Sequence, residues 1–78
     1  MRILVTGSLG AVGKPLVSML AQNYTVLGCD LRHTESGYSI VPTPSDRYMR
    51  CDIGEARQLK RVLDWARPDL VYNCAAEF

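Results

Sequence analysis

Gly7, Gly10 and Gly13 stand at a G-x-x-G-x-x-G spacing directly after the apolar run Ile3-Leu4-Val5-Thr6, where a helix should begin. Residues of this type at this spacing can do one kind of chemistry well, which is to hold an anion. Glycine lets the backbone turn sharply and lets a phosphate come close, while the following helix offers unpaired N–H groups and the positive end of its dipole. A second chemistry-bearing residue is Asp30, 17 residues after Gly13, near the roughly 20-residue offset at which a carboxylate accepts hydrogen bonds from an adenosine ribose. Pyrophosphate and ribose together make a dinucleotide.

These residues need a frame, and the sequence supplies alternating strands and helices. The first strand is Arg2 to Thr6, and a helix follows from about Gly10 to Gln22, with Val12, Leu16 and Leu20 on one face and Val17 flanking them. Pro15 is tolerable there because it falls near the first turn, where a missing N–H costs little. The second strand, Tyr24 to Cys29, is nearly continuous apolar sequence, as expected of a strand buried on both faces of a parallel sheet. Arg32 to Asp46 carries Gly37, Pro42 and Pro44 and reads as a loop. A short third strand, Arg47 to Cys51, leads through Asp52-Ile53-Gly54 into a helix from about Glu55 to Ala66, striped by Leu59, Val62, Leu63 and Ala66. Pro68 ends that helix, and the fourth strand is Leu70 to Cys74. The expected fold is therefore α/β: a partial Rossmann-like, doubly wound parallel sheet of four strands in the order 3-2-1-4 with two main helices.

In this arrangement a dinucleotide binds in the crevice at the carboxyl ends of strands one and four, where the strand order reverses. Asp30 places NAD ahead of NADP, because a carboxylate repels a 2′-phosphate. Arg32 offers that phosphate a partner, but beside Asp30 it reads as flanking the adenine or facing solvent.

Composition narrows the remaining choices. The chain has 78 residues, 47% apolar and 22% charged, with a formal net charge of +1, which fits one modest folded core. Scattered basic residues leave no footprint for nucleic acid or a membrane surface. Arg57, Lys60, Arg61 and Asp64 read as the solvated face of the second helix. The apolar N-terminus, broken by Gly7 and Gly10, resembles neither a signal peptide nor a spanning helix, so cytoplasmic residence is the default expectation. Cys29, Cys51 and Cys74 are an odd number at wide spacings without a C-x-x-C pair, and read as small apolar residues in buried strands.

The chain resembles the NAD-dependent epimerase/dehydratase family, the extended short-chain dehydrogenases/reductases that act on nucleotide sugars. The resemblance rests on Thr6-Gly7-x-x-Gly10-x-x-Gly13, on Asp30, on Cys51-Asp52-Ile53 and on Asp69-Leu70-Val71-Tyr72-Asn73-Cys74-Ala75-Ala76. It implies a pyrophosphate station at Gly7, Gly10, Ala11, Val12 and Gly13, and an adenosine station at Asp30, Leu31 and Arg32. It also implies that Asp52 and Ile53 hold the adenine, and that Cys74, Ala75 and Ala76 pass under the nicotinamide-side ribose. A carboxylate at the start of the second helix is the alternative role for Asp52.

Two departures from the family pattern stand out. Ala11 replaces a frequent aromatic residue, although its backbone N–H is retained, and Asn73-Cys74 replaces a frequent His-Leu pair. A larger one is that Tyr24, Tyr38, Tyr48 and Tyr72 are followed four residues later by Gly28, Pro42, Asp52 and Ala76, so the family's Tyr-x-x-x-Lys pair is not among these residues. Residues 1–78 therefore read as the N-terminal part of an NAD-binding domain, able to bind cofactor but not to catalyse alone, within a longer epimerase or dehydratase that works on a nucleotide sugar by transient hydride transfer. Two other readings stay open: a free-standing dinucleotide-binding or sensor module, and an assembly segment that forms homo-oligomers through an exposed strand edge.

Overall fold

A computed structural model describes residues 1–31 and 47–75. The expected loop from Arg32 to Asp46, and with it Arg32, lies outside the described residues, as does Ala76. The elements are β1 (Arg2–Thr6), α1 (Gly13–Leu20), β2 (Thr25–Asp30), β3 (Tyr48–Arg50), α2 (Ala56–Ala66) and β4 (Leu70–Asn73). All strand pairs are parallel, and the sheet order is β3-β2-β1-β4. The expected fold and strand order are those observed.

Period-two alternation in the strands explains why the sheet is covered on both faces. Ile3, Val5 and Val26 point to one side and pack with Val17 of α1, with Leu16 and Leu20 at the margin. Leu4, Leu27 and Cys29 point to the other side and pack with Cys51 and with Val62 and Ala66 of α2. The two helices thus lie on opposite faces, as a doubly wound sheet requires.

Three details differ from the sequence reading. The continuous ladder of α1 begins at Gly13, not Gly10. Lys14 N–H does donate to the Gly10 carbonyl and Leu16 N–H to the Val12 carbonyl, but Pro15 between them has no N–H for Ala11. Val12 consequently sits outside the helix at the N-cap and is 67% exposed, leaving Val17 as the buried centre of the helix. On α2 the inward stripe is Val62 and Ala66 with Trp65 packed beside them, whereas Leu63 is exposed. The strand boundaries shift by a residue: Tyr24 belongs to the turn after α1, its N–H donating to the Leu20 carbonyl, and β2 runs on through Asp30.

The far end of α2 is fastened to β1. Arg67 closes the helix in the left-handed region, with φ 44°, ahead of Pro68. Arg2 Nε donates to the Ala66 carbonyl at 2.7 Å, and Arg2 N–H to Asp69 Oδ2 at 2.8 Å. These bonds fix where β4 starts, and so where its other end meets the glycine turn.

Candidate functional site

The carboxyl ends of the parallel strands all lie on the side of the sheet that carries the glycine turn, and those of β2 and β4 meet it directly. Gly7 adopts φ +68°, and a Cβ built there would lie 2.7 Å from Ala75 N and from the Cys74 carbonyl carbon. Glycine at this position serves both a left-handed turn and the close approach of the β4 end. Cys74 N–H donates to the Thr6 carbonyl at 3.0 Å, and Thr6 Oγ1 to Asn73 Oδ1 at 2.6 Å, which hold that approach. Gly13 is required for packing, because a side chain there would be driven into the Gly7 carbonyl. Gly10 is different: its Cβ position meets one protein atom within 4 Å, the Gly7 carbonyl oxygen at 3.3 Å.

The turn presents donors. Gly10 N–H closes it on the Gly7 carbonyl at 3.1 Å, and among the described residues the N–H groups of Ala11, Val12 and Gly13 donate to nothing. Among the described residues no side chain caps α1, and no acidic residue occupies its first turn. An open helix N-terminus of this kind attracts an anion through both its free N–H groups and its dipole.

Asp30 reaches this turn from β2. Its Oδ2 accepts from Leu9 N–H at 3.0 Å, and Ser8 N–H donates to the neighbouring Cys29 carbonyl at 3.1 Å. The carboxylate therefore sits at the edge of the glycine turn. β3 buttresses it from the other side: Cys51 N–H and Tyr48 Oη donate to the Asp30 carbonyl at 2.8 and 3.2 Å, and Arg50 Nε to the Leu31 carbonyl at 2.9 Å.

Asp52 and Ile53 lie just beyond Cys51, on the same rim. Asp52 Oδ1 accepts from Gly54 N–H at 2.9 Å, and Asp52 N–H donates to Gln58 Oε1 at 2.9 Å. Capping of α2 falls to Glu55, whose carboxylate accepts from the N–H groups of Arg57 and Gln58. Asp52 thus shapes the turn and is not the cap. Ile53 is half-buried against the α2-side core, while Leu31 is 54% exposed beside Asp30.

Beneath this rim, Cys29 and Cys51 are buried neighbours. Burial pushes the Cys29 thiol up to about 12, helped by Cys51 and Asp30, and burial also raises Cys51. Cys74 is half-buried. Among the described residues no three of His, Cys, Asp and Glu are grouped to hold a metal ion, and no helix is long and apolar enough to cross a membrane. Lys60 Nζ pairs with Asp64 Oδ2 at 2.9 Å on the exposed face of α2, an i,i+4 contact of small energetic weight.

The sequence reading assigns Gly7, Gly10, Ala11, Val12, Gly13, Asp30, Leu31, Asp52, Ile53, Cys74 and Ala75 to a cofactor site, and in the structure they lie at or just beyond the carboxyl ends of the parallel strands. It missed the Leu9 N–H contact and the buttressing by Tyr48 and Arg50. The last two had a visible signal, since residues two apart on a strand share a face.

A doubly wound parallel sheet with an open glycine turn at its switch point defines a dinucleotide-binding α/β segment. A model of the "NAD dependent epimerase/dehydratase family" matches residues 3–78, and the chain belongs to that family. The chain is 38% identical over 76 residues to a dTDP-4-dehydrorhamnose reductase of Burkholderia thailandensis, a match covering 97% of the chain and 20% of that protein. Its fold is similar to that of a monomeric L-threonine 3-dehydrogenase of metagenomic origin, with a TM-score of 0.77 and 30% identity over 97% of this chain and 23% of the other. The chain thus spans about a fifth of the length of these relatives. The family binds a nicotinamide dinucleotide, NAD or NADP.

Proposed function

We propose that residues 1–78 form the N-terminal part of an NAD-binding domain in a longer enzyme, an epimerase or dehydratase acting on a nucleotide sugar. The observation that carries this reading is Asp30 Oδ2 lodged on Leu9 N–H at 3.0 Å, beside three free helix-start donors. The residues present fit the cofactor: the cradle over Gly10 is one that a side chain would fill, and the donors suit a pyrophosphate. Ala11, Val12 and Gly13 hold the pyrophosphate through their N–H groups. Asp30 accepts from the adenosine ribose hydroxyls and disfavours a 2′-phosphate, which sets NAD ahead of NADP. Leu31, Asp52 and Ile53 line the adenine side, and Cys74 and Ala75 give close passage along the other ribose.

Bound nicotinamide supplies a hydride acceptor and donor. What these residues do is bind it, orient it and keep its pyrophosphate neutralised. The acid–base pair of the reaction belongs to other parts of the protein, because no tyrosine among residues 1–78 has a lysine four positions on. The relative named dTDP-4-dehydrorhamnose reductase favours a nucleotide sugar as substrate.

Titration of the protein with NADH and with NADPH tests the cofactor reading, and tighter binding of NADH is the expected result. Asp30→Ala should weaken NADH binding by about 1–3 kcal/mol. Asp30→Asn, which keeps an acceptor for Leu9 N–H but removes the charge, should move the ratio of affinities toward NADPH. An unchanged ratio would remove Asp30 from the ribose. Turnover by the full-length protein on a panel of nucleotide sugars tests the substrate, and activity on a free amino acid in their place would overturn that part.

A further inference from the structure

Ser8, between Gly7 and Leu9, is a polar residue that the site as described leaves without a task. Its side chain is fully buried, and its Oγ has no hydrogen-bond partner among the described residues. Its neighbours in the turn are all engaged: Gly7 against Cys74 and Ala75, Leu9 N–H on Asp30, and Ser8's own N–H on the Cys29 carbonyl. A buried hydroxyl without a partner is rare in folded proteins, and a functional role or a bound water or ion is among its explanations. Ser8 belongs to the same glycine turn as the N–H groups of Ala11, Val12 and Gly13, which donate to nothing among the described residues.

We propose that Ser8 is a binding residue for the dinucleotide, its Oγ–H donating to a pyrophosphate oxygen directly or through one ordered water when the cofactor is held. This rests on the dinucleotide reading given above. Its consequence is a hydroxyl that costs stability in the unloaded protein and contributes affinity in the loaded one. A residue with a purely structural role would show the opposite on the first count and nothing on the second.

Ser8→Ala in the full chain tests it. The expected result is a higher melting temperature without cofactor, by roughly 4 °C, together with a Kd for NADH about tenfold weaker. Ser8→Cys, which keeps the shape with a slightly larger atom but donates weakly, should lose affinity in the same direction. A lower melting temperature with unchanged affinity would assign the hydroxyl to the fold and overturn the proposal. In a structure of the NADH complex, Oγ bonded to a pyrophosphate oxygen or to a water on it is the supporting outcome, and Oγ bonded only to protein overturns it. Wild-type protein that binds neither NADH nor NADPH would overturn the dinucleotide reading itself, whereas binding that Ser8→Ala leaves intact sinks only the role of Ser8.

Discussion

The three glycines of the turn look alike in the chain and do different work. Gly7→Ala must force a Cβ into the left-handed region and against the Cys74-Ala75 backbone at 2.7 Å, so a stability loss on the order of 2–4 kcal/mol is expected. Gly13→Ala should be comparably damaging, because its methyl meets the rigid Gly7 carbonyl. Gly10→Ala has one contact at 3.3 Å to relieve and should cost about 1 kcal/mol or less, yet it places a methyl in the cradle and should weaken NADH binding at least tenfold. Thermal unfolding alongside cofactor titration separates the two effects, and equal losses of stability in all three variants would refute the division. The spacing alone made all three glycines legible as one motif. That Gly7 serves the fold depends on Cys74 and Ala75, more than 60 residues away in the chain, whereas Gly13 is held by the turn's own Gly7 carbonyl.

At the scale of elements, β2 carries the site on its last residue and the core on the one before. Cys29 is buried between the sheet and α2, and its thiol stays protonated up to about 12 instead of 9.0. Because the folded protein holds that proton more tightly than the unfolded chain, its contribution to stability is complete below pH 9 and is lost as pH rises toward 12. Urea midpoints measured between pH 8 and pH 11 should therefore fall more steeply for the wild type than for Cys29→Ala, whatever the pH-independent cost of the small cavity. Parallel slopes would show that Cys29 is not the group responsible. That Cys29 and Cys51 belong to the core was readable from their place in apolar runs, whereas Cys74, expected in a buried strand, lies just past β4 and is half-buried. The start of α1 was less so: a periodic pattern beginning at Val12 suggested an earlier helix, and the missing Pro15 N–H opens that first turn. The same irregularity leaves the donors free for an anion.

Over the whole molecule, order is greatest in the middle of the sheet. β1 is hydrogen-bonded on both sides and buried from Ile3 to Thr6, whereas β4 pairs with β1 alone among the described residues and is exposed at all four positions. Amide exchange should accordingly be slowest in β1 and markedly faster in β4, where Leu70 and Tyr72 are exposed on one face and Val71 on the other. Equal protection of β1 and β4 would show that another surface covers that strand. The sequence by itself determined the fold class, the strand order, the glycine turn and the acidic residue at the end of β2, because hydrophobic periodicity and glycine spacing are local properties. Only the tertiary structure decided that Asp30 grips the glycine turn through Leu9 N–H, that Tyr48 and Arg50 buttress it, and that Ser8 is buried without a partner. Those facts depend on distances between strand ends, which parallel pairing sets and residue order does not reveal.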